Sequence, residues 1–135
     1  MRFMIIGKAT KESEAGVLPP PEAFAAMGEY NDALVKAGIL LAAEGLAPSS
    51  KGARVKFSKE KRIVVDGPFA ETKELIAGFT IIDVPSLQDA IEWVKRGPNL
   101  AADGETEVEI RKLLGPEDFG DDFTPNPDIA KVKYT

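Results

Sequence analysis

This chain has neither histidine nor cysteine, so any proton it moves must travel through Asp, Glu, Lys, Tyr or water. Their absence removes thiol nucleophiles, Ser-His-Asp triads, disulfides, Cys/His zinc sites and haem ligation by either residue. A metal would have to sit among oxygens. The pair Asp121 and Asp122 is too weak a pattern for that, and no metal or cofactor is expected.

Glu44 is the first acid–base candidate. In ILLAAEGL, alternation places it on the face of Leu40, Ala42 and Leu46. A carboxylate among apolar neighbours is costly unless paired, and its pKa tends to rise. That is how a general acid or base is tuned near neutrality. The plainer alternative is a strand-end Glu that reaches water or a Lys. Lys8 continues the face of Met4 and Ile6. It could pair with Glu44, hook an anion or run to solvent.

Asp66 is the second candidate. It opens DGPFAETKE, residues 66–74, which joins the apolar runs RIVV and LIAGFTII. In a turn, Asp66 can accept backbone N–H groups, Gly67 permits a positive φ and Pro68 fixes its own. Turn chemistry does not account for Phe69 or for the polar run Glu71, Thr72, Lys73. Phe69 could anchor the loop or floor a pocket, with Glu71 as a further ligand contact. Lys8, Arg54 and Lys73 are the cations available to an anionic ligand.

These side chains need a scaffold, and the hydrophobic pattern supplies one. RFMIIGK, closed by Gly7, reads as a buried strand, followed by a polar loop ending in Pro. Pro21 suits a first helical turn, and PEAFAAMGEYNDALVKAG places Phe24, Met27 and Leu34 on one face before Lys36 and Gly38 stop the helix. ILLAAEGL reads as a strand covered on both faces. ARVKFS and RIVVD around KEK form a hairpin. LIAGFTIIDV is a second doubly covered strand, ended by Pro85. Ser86, with Asp89 three residues on, caps a helix whose stripe is Leu87, Ile91 and Val94. TEVEIRKL alternates as a last strand.

The order β-α-β-hairpin-β-α-β is the ferredoxin-like α+β pattern with an inserted hairpin. Both helices of that pattern cover one sheet face. Two strands apolar on both sides therefore call for a second layer, which a second copy of the sheet would supply. A sheet-to-sheet homodimer is expected. Tyr30 and Trp93 read as partly buried core residues.

The length of 135 residues suits one domain, and 44% hydrophobic with 29% charged residues is ordinary for a soluble one. A net charge of −5 argues against nucleic acid as a partner. The basic hairpin KGARVKFSKEKR reads as an edge protected by lysines, with only Phe57 available for base stacking. The apolar run near the start is too short for a signal peptide or a membrane span, so no membrane partner and a cytoplasmic location are expected. Residues 1–114 read as the domain and 115–135 as an acidic arm or tail that Phe119 and Phe123 could pin to a surface.

The segments DGPFAETKE, AGFTIIDV, GILLAAEGLAPSS and AIEWVKRGP together resemble the YCII-related family, in its DGPF-motif branch, over about residues 1–114. The resemblance implies a ferredoxin-like domain that pairs into a dimeric α+β barrel. It also implies a bacterial protein of unassigned biochemistry, with a pocket between sheet and helices that holds a small ligand, for which Lys8, Arg54 and Lys73 are the contacts available if it is an anionic metabolite. Cofactor-free acid–base catalysis by Glu44 and Asp66 is the enzymatic form of that reading. The His–Asp pair of some relatives has no counterpart here. The alternative is a non-catalytic regulatory or protein-interaction module tied to sigma-factor signalling.

Overall fold

The computed structural model describes residues 1–120, so Asp121, Asp122 and Phe123 lie outside the described residues. The elements run β1 (Arg2–Lys8), α1 (Lys11–Glu14), α2 (Pro21–Lys36), β2 (Leu40–Gly45), β3 (Ala53–Ser58), β4 (Lys61–Asp66), β5 (Ile76–Asp83), α3 (Leu87–Lys95) and β6 (Val108–Lys112). This is an α+β fold. Strands β2-β5-β1-β6 form one antiparallel sheet, and β3 and β4 pair separately as a hairpin.

Local chemistry places the helix ends. Pro21 occupies the first turn of α2, and Gly38, just beyond its end, takes φ +74, which a side chain would resist. Ser86 caps α3 by accepting the Asp89 N–H at 3.2 Å. The stretch read as a plain loop after β1 contains α1. Thr10 and Ser13 cap it reciprocally: each side chain accepts the other's backbone N–H, at 3.1 and 2.8 Å.

The register fixes which residues share a face. Phe3 lies opposite Ile82, Ile5 opposite Thr80 and Ile110, and Leu40 opposite Ile82. Phe3, Leu34, Ile82, Val84 and Ala90 form the core, with Ile5, Tyr30, Ile39, Leu40, Trp93 and Ile110 packed against it. Tyr30 donates to the Trp93 carbonyl at 2.6 Å and so ties α2 to α3.

The helices meet the sheet differently from the expected stripes. On α2 the buried residues are Ala23 and Leu34, whereas Phe24 is 57% exposed. On α3 the buried residue is Ala90, and Leu87 is 51% exposed. Of the expected stripes only Leu34 is fully buried, and Ala23 and Ala90 fill the other buried helix positions.

A bulge between Leu40 and Ala42 changes the face of β2. Leu40 joins the core, but Ala42 then lies opposite Ile81 and Glu44 opposite Phe79. Glu44 therefore does not share a face with Leu40. The face turned away from the core carries Met4, Ile6, Phe79 and Ile81, with Glu44 and Glu109 beside them.

Candidate functional site

The site grows from one end of the sheet, where β1 and β2 finish and β5 and β6 begin. A hydrogen-bond chain holds the 66–74 loop there. The Glu14 carboxylate at the end of α1 accepts the Ser49 N–H at 3.0 Å and the Ser49 hydroxyl. The Ser49 Oγ in turn accepts the Phe69 N–H at 3.0 Å. Two residues further back, the Gly67 N–H donates to the Gly52 carbonyl at 3.0 Å. The loop is thus stapled to the short helical turn Ser49–Lys51 and, through it, to α1.

Gly67 is required by space. A Cβ there would overlap the Ser49 carbonyl oxygen. The left-handed backbone expected of this glycine falls instead on Glu71, at φ 52. Gly67–Pro68 is a cis peptide.

Beyond the staple, the Arg54 guanidinium lies 3.9 Å from the centre of the Phe69 ring, a contact worth about 0.5–1 kcal/mol near a surface. Arg54 also acts on Glu74, lowering its pKa. The hydrogen bond and charge of Glu71 outweigh that effect and hold Glu74 above the usual carboxylate range. Glu71 and Glu74 stand at the two ends of the turn Thr72–Glu74.

A cleft of about 950 Å³ opens between three loops: Ala9–Glu12 after β1, Glu71–Glu74 before β5, and the segment before β6 that contributes Ala101, Ala102, Asp103 and Glu105. Ala9, Ala101 and Ala102 line part of it. Its charged lining is Glu12, Glu71, Glu74, Asp103 and Glu105 against Lys11 and Lys73. The cleft sits at the loop end of the sheet rather than between sheet and helices. Among the described residues, no group of three or more acidic side chains is arranged to hold a metal ion.

A YCII-related domain model matches residues 1–114. The chain belongs to the YCII-related family. A similar curated protein is "Uncharacterized protein R00369" of Rhizobium meliloti (strain 1021), 43% identical over 79 residues. The alignment takes in 58% of this chain and 63% of that relative, so this chain spans less than two thirds of the relative's length.

Within this YCII-related domain, the candidate residues divide. Glu71 and Lys73 line the cleft. Arg54 and Phe69 stack on each other outside its lining. Glu44, Asp66 and Lys8 are outside its lining. Glu44 is exposed, opposite Phe79 on the far face of the sheet, and Asp66 is exposed at the hairpin base opposite Ala53. Lys8 pairs with Glu109 at 3.4 Å instead of with Glu44, because β6 is the neighbour of β1 on that side.

Sequence reasoning missed Glu14 and Ser49, which hold the loop, and Lys11, Glu12, Glu74, Asp103 and Glu105, which share the cleft. Glu14 stood in a segment read as loop, and Ser49 in the short link between ILLAAEGL and ARVKFS. The Thr-x-x-Ser spacing at Thr10 and Ser13 was the available signal for α1.

Proposed function

We propose that this YCII-related domain binds a small organic molecule in the cleft at the loop end of its sheet. The DGPF-motif loop serves as one preformed wall. The observation that carries this reading is the staple Glu14–Ser49–Phe69, which fixes the segment before Glu71 to the turn Ser49–Lys51 while α1 supplies the opposite wall. A wall whose main chain is held by side-chain hydrogen bonds is preorganised, and ligand binding then orders little further chain. Arg54, Phe69, Glu71 and Lys73 are the contacting or supporting groups in this scheme.

Strand order β2-β5-β1-β6 supports the ferredoxin-like reading, and the apolar face of Met4, Ile6 and Phe79 supports sheet-to-sheet pairing into a dimeric α+β barrel. Glu44 lies on that second face, so acid–base work by Glu44 requires the dimer. Asp66, at the hairpin base, would act only on a ligand that extends past Phe69.

The test is a fragment screen read by backbone amide chemical shifts on the full chain. Shifts clustered at Thr72–Glu74 and Ala101–Asp103 are expected, weakened in Ser49→Ala. Binders that map consistently elsewhere would overturn the assignment of this cleft.

The protein-interaction reading also has an observation of its own. Every residue of β3 is exposed, with Phe57 at 71%. A two-stranded hairpin is marginal without cover, so a polypeptide partner seated on β3–β4 is the second reading. Protection of hairpin amides by a captured protein, with no shifts at the cleft, would favour it.

A further inference from the structure

The β3–β4 hairpin stands off the rest of the fold. Its strands pair with each other and make only marginal contact with any other element among the described residues. Directly opposed residues share a face, so Val55, Phe57, Val64 and Arg62 lie on one side and Arg54, Lys56, Ile63 and Val65 on the other. The second side turns at its base towards the 66–74 loop, where Arg54 stacks on Phe69 and Val65 is half-buried. The first side is left open: Val55 is 51% exposed, Val64 64% and Phe57 71%.

An apolar side on a two-stranded ribbon calls for cover, and charge says what kind. Segment 51–66 carries six cations, Lys51, Arg54, Lys56, Lys59, Lys61 and Arg62, against Glu60 and Asp66, a surplus of four. The chain as a whole is −5, so its other residues carry −9. The hairpin is a basic, apolar projection on an acidic molecule. A second copy of that molecule is its electrostatic complement.

The open face of the four-stranded sheet has the matching layout. Met4, Ile6 and Phe79 lie half-buried along its centre, on β1 and β5. Glu44 on edge strand β2 and Glu109 on edge strand β6 flank them on that same face. Glu109 already accepts from Lys8 and Arg111, whereas Glu44 is exposed. An apolar centre with acidic edges thus stands opposite an apolar arm with basic margins.

We propose that the β3–β4 hairpin is an arm that clasps a second copy of this chain. The two sheets meet through Met4, Ile6 and Phe79. The arm of each subunit closes over the β2 edge of the other, with Val55, Phe57 and Val64 inward and its cations towards Glu44. A six-residue strand pair is about 20 Å long, roughly the width of four paired strands. A two-fold axis makes the same contact twice. This rests on the sheet-to-sheet pairing proposed above, and it identifies the polypeptide that covers the hairpin.

The test measures the dimer dissociation constant of the full chain by sedimentation equilibrium in about 50 and about 500 mM NaCl. Two bodies of like net charge associate more tightly as salt screens them, whereas a basic arm on an acidic partner is loosened. The native dimer is expected to weaken with salt, and the double variant Lys56→Glu, Lys61→Glu to reverse that trend. Phe57→Ser should weaken the dimer about tenfold or more, the scale of a buried aromatic anchor. Glu44→Gln should weaken it about two- to fivefold. All four residues are exposed in the single subunit, so each variant should keep the native circular dichroism. A benzophenone side chain at position 57, in a mixture of isotopically labelled and unlabelled chains, should cross-link one subunit to the other. A dimer that tightens in salt would overturn the charge match, and an unchanged constant for Glu44→Gln would overturn Glu44 as the acceptor. A dimer indifferent to every hairpin substitution, or cross-links confined to one subunit with residues 121–135 included, would overturn the arm and leave sheet-to-sheet pairing in place. A native chain that sediments as a monomer would remove the pairing itself and the arm with it.

Discussion

Gly67 shows how one residue can be read correctly for the wrong reason. Its place in DGPF suggests freedom of φ, but its actual role is to leave room for the Ser49 carbonyl oxygen against its Cα. Gly67→Ala is therefore expected to lower stability by about 1–3 kcal/mol through overpacking. Chemical denaturation measures this, and an unchanged midpoint would show that the Ser49–Gly52 turn moves aside at no cost. Glu71 carries the left-handed backbone instead. Nothing in the residue type announces that, because Glu seldom adopts it. Ser49 was equally hidden. A serine in a short polar link has many local uses, and only the approach of Glu14 on one side and Phe69 on the other selects one of them.

At the scale of elements, periodicity did most of the work. β1 spans the whole of RFMIIGK, and α2 begins on Pro21 and closes before Gly38, because apolar spacing and helix stop signals act within a few residues. Interruptions of the pattern were less visible. The bulge in β2 turns Glu44 to the face of Phe79 and away from that of Leu40, and a bulge is set by the partner strand β5. β6 supplies a contact that alternation alone could not assign. Glu109 accepts from Arg111 at 3.3 Å and from Lys8 at 3.4 Å, and these two cations hold its carboxyl below the usual range. The folded value thus lies below the unfolded one, so the contribution is present above about pH 4.3 and is lost as pH falls through the folded value. Thermal melts from about pH 6 down to about pH 3 should fall more steeply for the native chain than for Glu109→Gln, and parallel curves would deny Glu109 this role.

At the scale of the whole molecule, the decisive feature is that the sheet has two apolar faces and that α2 and α3 pack against the face carrying the core. Met4, Ile6 and Phe79 lie half-buried on the other. A second copy placed sheet to sheet by a two-fold axis would bury them on both subunits at once. Phe79→Arg is expected to convert a dimer into a monomer in gel filtration at micromolar concentration, because a guanidinium in the centre of such an interface has no partner. A native chain that already runs as a monomer would remove the paired-barrel reading and, with it, any acid–base role for Glu44.

The residues by themselves determined the chemistry that is out of reach, the strands, the two long helices and the hairpin, since composition and short-range periodicity are local properties. They also marked 66–74 as a stretch in which turn chemistry does not explain Phe69 and the polar run after it. Only the tertiary structure decided what that stretch faces. Ala9–Glu12, Glu71–Glu74 and the 101–105 segment are remote in sequence, and they meet because antiparallel pairing of β1 with β5 and β6 brings their loops to one end of the sheet. The sign of charge in the resulting cleft is a sum over those three loops, so no single stretch of sequence could reveal it.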